Sequence, residues 1–140
     1  MAISQGQCTI FKQNCLSGLE NFNTGTLYVY KIALYTANAD LSYATTVYTT
    51  VGEITGTGYT AGGAILTPII PASSGQTAYV SFENVTWDPA NFTCRGALVY
   101  NSTTGSAVAV LDFGADKTAT NTFTVTFPTA NATNAIIRFS

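Results

Sequence analysis

Residues 122–127 alternate without a break: Phe123, Val125 and Phe127 fall on one side, Thr122, Thr124 and Thr126 on the other. Successive side chains of an extended chain point to opposite faces, so this period of two specifies a strand with one apolar and one hydroxyl face. The period returns at 77–83, with Ala78, Val80 and Phe82 inward and Thr77, Ser81 and Glu83 outward. It returns again at 26–36, where Tyr28, Tyr30, Ile32 and Leu34 oppose Lys31. Such a chain must bury one face of each strand, and stacked sheets do so. Composition reinforces the pattern: 24 of the 140 residues are threonine, whose branched Cβ suits a pleated surface, while Asn and Gly supply turns.

Further strands are expected at 91–101 and at 106–113. The latter is apolar on both faces through Ala107, Val108, Ala109, Val110 and Leu111, which fits a central strand. Weaker signals at 46–54, at 64–70 (closed by Pro68 and Pro71) and at 134–139 bring the number to eight. The intervening TGTGYTAGG at 55–63 carries four glycines free to take positive φ and reads as a surface loop. One helix is expected over 9–20, where Ile10, Phe11, Cys15, Leu16 and Leu19 lie near one face, Thr9 caps the start and Gly18 sits near the end. Residues 1–8 read as an extended polar arm. The expected fold is a single all-β domain over residues 1–140. It is a two-sheet sandwich of jelly-roll or immunoglobulin-like kind, with that arm and one short N-terminal helix plugging an open end.

Charge removes several functions. Charged residues make up 9% of the chain, against about 25% in an average soluble domain. The basic residues Lys12, Lys31, Arg95, Lys117 and Arg138 are scattered singly, whereas nucleic-acid binding needs them clustered. No nucleic-acid partner is expected. Disorder is disfavoured by 8 Tyr, 8 Phe and a net charge of −2. The opening MAISQGQCTI lacks a basic region followed by an apolar run. The longest uncharged stretch, 54–82, is interrupted by Gly62, Gly63, Pro68, Pro71 and Gly75. The expectation is a cytoplasmically made protein with no export signal and no membrane anchor.

The sequence has no histidine, which removes the commonest general base and metal ligand. Cys8, Cys15 and Cys94 are odd in number and irregular in spacing, so they read as small thiols in a reducing compartment. Paired carboxylates are the catalytic constellation that remains, drawn from Glu53, Glu83, Asp88, Asp112 and Asp116, and spacing selects no pair. The DFGAD run at 112–116 offers two carboxylates, fewer oxygens than calcium needs. The glycine loop at 55–63 lacks the lysine and strand-to-helix setting of a phosphate loop. The Asn-x-Thr triplets at Asn84, Asn91, Asn101 and Asn131 arise by chance in a chain so rich in both residues. No enzyme activity, metal or cofactor is expected.

Contact is the better reading. Tyr43, Tyr48 and Tyr59 lie in loop-like or edge segments where aromatics anchor interfaces or stack on sugars, and Ile3, Gln5 and Gln7 are the arm residues expected to grip neighbours. The segments KIALYT (31–36), TGTGYTAGG (55–63), RGALVYNS (95–102), AVAVLDFG (107–114), TFTVTFP (122–128) and the closing ATNAIIRFS (132–140), taken in order, resemble a family of small virion structural proteins from tailed bacteriophages. The resemblance implies a non-enzymatic all-β component of the mature particle. The favoured role is a capsid cement or decoration protein that binds the major capsid protein and further copies of itself. It would be made in the bacterial host cytoplasm and located at the capsid surface of the virion. A tail or neck component, such as a fibre adaptor, is the alternative within that class, and a host-glycan-binding module using edge tyrosines is the alternative outside it.

Overall fold

The computed structural model describes residues 2–23 and 28–139. They are mostly β, with one short helix and several antiparallel sheets. In chain order the elements are β1 (Gly6–Gln7), α1 (Thr9–Leu16), β2 (Tyr30–Tyr35), β3 (Ala64–Ile65), β4 (Pro68–Ser74), β5 (Thr77–Phe82), β6 (Val85–Trp87), β7 (Phe92–Asn101), β8 (Ala107–Ala119), β9 (Phe123–Val125) and β10 (Ile137–Phe139). A five-stranded sheet runs β1-β8-β7-β2-β3, a three-stranded sheet β10-β5-β4, and a pair β6-β9.

The interior of the large sheet carries most of the core. β2 is buried at every position but Lys31, and β7 from Gly96 through Asn101. Each fully buried Leu, Ile or Val contributes about 1.5–3 kcal/mol, so Ile32, Leu34, Leu98, Val99, Val108 and Val110 are the principal stabilising group. Aromatic contacts join the sheets: Phe22 stacks on Tyr30 at 4.4 Å and meets Phe82 of β5 edge-on at 5.9 Å, while Phe92 of β7 packs against Phe123 of β9 at 5.5 Å. As its alternation predicts, 122–127 turns Val125 and Phe127 inward and its threonines to solvent, with Phe123 half-buried.

Several expectations are corrected. The 46–54 strand is a loop attached by isolated bridges, Val47 to Ser106 and Glu53 to Tyr35. Within it Thr49 Oγ1 accepts from Val51 N–H, and just before it Thr45 Oγ1 accepts from Ser42 N–H; such local bonds compete with a ladder. The 64–70 strand divides into β3 and β4, and Pro71 lies within β4 beside its bulge. Ser81, expected outward, is fully buried with its hydroxyl bound to Pro128 O at 2.6 Å, and Ala78, expected inward, is exposed near the β4–β5 hairpin.

The helix stops at Leu16 instead of residue 20, and the chain turns away at Gly18 with φ of 74°. Cys8, not Thr9, is its N-cap, without a side-chain cap bond. Phe11 and Asn14 form the buried face; Leu16, five residues after Phe11, comes out on the far side and is 91% exposed, and Leu19 is exposed beyond the turn. Asp116, expected in a turn, lies inside β8. There residues 113–116 bulge opposite Arg95, because Cys94 pairs with Lys117 but Gly96 pairs with Asp112. Residues 26 and 27 of the expected 26–36 strand, and Met1 of the arm, lie outside the described residues.

Candidate functional site

The arm lies on its own chain. Ser4 N–H donates to Leu41 O at 2.8 Å, Gly6 and Gln7 pair with Val110 and Ala109, and Cys8 N–H donates to Val108 O at 2.9 Å. Ile3 pairs with Leu41 and packs on Gly96, where an added Cβ would come within 2.8 Å of Ile3 Cδ1. Gln5 is exposed, and its Oε1 accepts from Asp112 N–H at 3.1 Å.

The tyrosines separate. Tyr43 is 67% exposed. Tyr48 and Tyr59 are half-buried and both donate to Glu53, Tyr48 to Oε1 and Tyr59 to Oε2, each at 2.5 Å. Gly62 N–H adds a third bond to Oε2 at 2.8 Å, Leu34 N–H donates to the Tyr59 oxygen, and Tyr100, stacked on Tyr48 at 4.7 Å, donates to Gly62 O. Burial first, then hydrogen bonding to Glu53, pushes the phenols of Tyr48 and Tyr59 up. They therefore stay protonated donors. The cluster clamps the glycine loop: a Cβ at Gly58 would sit 1.8 Å from Pro89 O and one at Gly63 1.8 Å from Ile32 O. Those glycines let the loop lie against backbone, and a loop expected as open surface is held down at both ends.

Glu83, Asp88 and Asp116 are exposed in separate places, a strand end, a turn and the β8 bulge. Asp112 lies beside Arg95, Oδ1 to Nε 3.5 Å. Among the described residues no three metal-ligating side chains gather, and the three cysteines are unpaired, with Cys8 and Cys94 buried. Burial pushes the thiols of Cys8 and Cys15 up to about 11 and that of Cys94 up to about 12. Among the described residues no helix is long and apolar enough to cross a membrane.

The polar centre missed from sequence is Glu20. Its Oε1 accepts from Tyr30 Oη at 2.8 Å and Asn101 Nδ2 at 3.1 Å, and its Oε2 lies 3.5 Å from Asn14 Nδ2. Burial raises the carboxyl above its ordinary value against the lowering effect of those bonds. Tyr30 and Asn101 are 10 and 81 residues away, so no local motif marks the site.

Two exposed surfaces stand out among the described residues. Ile65 of β3, opposite Lys31 of β2, and Ile69 and Ile70 of β4 are exposed, each on the outermost strand of its sheet. On the other side a trough runs between the arm and β10. The part bordered by Gln5, Asp112, Phe113, Phe127 and Arg138 has a volume of about 340 Å³. It continues past Gly6 and Ile136, and then past Gln7, Lys12 and Phe139. Comparison with protein-family models, with curated proteins and with solved structures finds no match.

Proposed function

We propose that the chain is a structural virion protein of a tailed bacteriophage, a capsid cement or decoration protein that binds the major capsid protein and further copies of itself. Its sheets form a two-layer sandwich of jelly-roll or immunoglobulin-like kind, and it acts by contact and not by reaction. The observation that carries this reading is the exposure of Ile65, Ile69 and Ile70 on the outermost strands β3 and β4. Edge strands of monomeric proteins are ordinarily protected by charge, so large apolar side chains exposed on edge strands suit a contact surface. The resemblance of six segments to phage virion proteins points the same way. A host-glycan module fits less well, because Tyr59 is committed to Glu53 and Tyr43 is the exposed ring among the three edge tyrosines put forward.

The test is a mass-spectrometric copy count of the chain in purified particles of the phage that encodes it. Hundreds of copies support a cement protein in the head; about six or twelve would move the chain to the tail or neck, whose rings have that symmetry. Particles without the chain would overturn the virion reading.

A further inference from the structure

The trough beside the arm has two sheet edges for walls. β1 is the outermost strand of the five-stranded sheet, and β10 is the outermost strand of the three-stranded sheet. Cys8 N–H bonds inward to Val108 O, so alternation along the strand turns the amide and carbonyl of Gln7 to the side away from β8. On β10, residues 137–139 pair with Val80, Tyr79 and Ala78 of β5, which leaves the other edge facing the arm. No described backbone hydrogen bond crosses from one edge to the other. The free peptide groups of Gln7 and the outer edge of β10 thus border one groove, and exposed edges of this kind are templates for a further strand.

Charge is uneven along the groove: Arg138 borders both the part beside Asp112 and the part beside Lys12, and Lys12 borders only the latter. Lys12 of α1 and Arg138 of β10, two basic residues 126 positions apart in a chain with five, border the same open depression with Gln7 and Phe139. Arg138 gives Nη1 to the Thr133 carbonyl, which steadies its guanidinium and leaves the remaining N–H groups. Lys12 is exposed. Asp112 is already beside Arg95 and its amide is bound by Gln5. A further part is lined by uncharged groups, Gly6, Val110 and Ile136 among them.

We propose that this trough binds an extended segment of a protein partner, which adds a strand between β1 and β10 and places a carboxylate between Lys12 and Arg138. The backbone of the two edges supplies the affinity and the paired cations fix its direction. A small free anion would use the cations and ignore the edges, so an extended chain with an acidic end is the occupant that uses every feature. The inference deepens the cement reading by naming the surface that grips a neighbour, yet its test needs no particle.

The probe is a randomised library of nine-residue peptides selected for binding to the full chain. The expected result is enrichment of β-branched, alternating sequences with Asp or Glu near one end. Bound peptide should slow amide exchange at Gln7 and within residues 136–139, where the exposed edges lie. Lys12→Glu, at an exposed site, should weaken binding about five- to tenfold at low salt, with the loss shrinking as salt rises. Arg138→Lys, which keeps the charge, should retain most of the affinity. No enrichment, enrichment without acidic residues, or protection at the β4 edge in place of the trough would each overturn the proposal. If the trough fails while the chain is abundant in particles, the virion reading stands. If the trough binds peptide and particles lack the chain, that reading falls alone.

Discussion

β2 begins at Tyr30 and ends at Tyr35, and a glutamate stands at each end. Glu53 pairs by backbone with Tyr35 and accepts two tyrosine hydroxyls and one amide at 2.5, 2.5 and 2.8 Å. Glu20, at the Tyr30 end, accepts at 2.8 and 3.1 Å, with its third donor out at 3.5 Å. The first carboxylate organises a loop around itself; the second is pressed into a corner of Phe11, Phe22 and Cys15, where burial opposes its charge. The difference shows that a carboxylate inside a β protein stabilises its surroundings when the donors come to it, and costs something when the apolar wall comes first.

The sharpest way to break the comparison is through the glycines that shape each corner. Gly63 and Gly105 both have a φ of 83°, but a Cβ at Gly63 would overlap Ile32 O, whereas at Gly105, in the turn beside Asn101, it meets nothing within 4 Å. Gly63→Ala is expected to cost more than about 4 kcal/mol, because β3 must part from β2 or the loop must leave Glu53. Gly105→Ala should cost about 1–2 kcal/mol, from the left-handed backbone alone. Denaturant unfolding of the two variants decides it; equal losses would mean that the glycine loop is not clamped.

Next in size is Glu53→Gln, which preserves shape and removes charge. Two tyrosine hydroxyls and the Gly62 amide then lose an ionised acceptor in a half-buried setting, and a loss of about 2 kcal/mol is expected. Absorbance of Tyr48 and Tyr59 on alkaline titration should shift to lower pH in the same variant, since the hydrogen bond to Glu53 is the second cause holding both phenols up. An unchanged titration would mean that burial alone holds them.

The two corners also differ in how far they could be read from the chain. Glu53 and its donors Tyr48, Tyr59 and Gly62 lie within nine residues of it, and the four glycines nearby announce tight backbone. The glycines and tyrosines of this segment are visible in the sequence but read there as a surface loop and contact residues, because period and composition do not reveal a carboxylate folded back on its own loop. Glu20 meets Tyr30 and Asn101 through the sheet, and that depends on β2 pairing with β7, a register set by the whole core. Strands with one dry face, such as 122–127, were legible for the complementary reason: their period is local. Where polar side chains satisfied the backbone instead, as at 42–51, or where a bulge carried β8 through Asp116, local period misled.

The smallest expected effect has the opposite sign. Burial raises the Glu20 carboxyl above its ordinary value of 4.5, so the folded chain binds that proton more tightly than the unfolded chain. Its contribution to stability is present below the ordinary carboxyl range and is lost as pH rises through the raised folded value. Glu20→Gln mimics the protonated group: its oxygen can still accept from Tyr30 and Asn101, and its amide nitrogen takes the place nearest Asn14, the weakest of the three contacts. The variant should match the parent at about pH 4 and gain on it as pH approaches neutrality, with the difference levelling off above the folded pKa. Stability measured by denaturant at several pH values reads that difference directly. A difference independent of pH would mean that the three hydrogen bonds offset the apolar wall, and the two ends of β2 would then be alike.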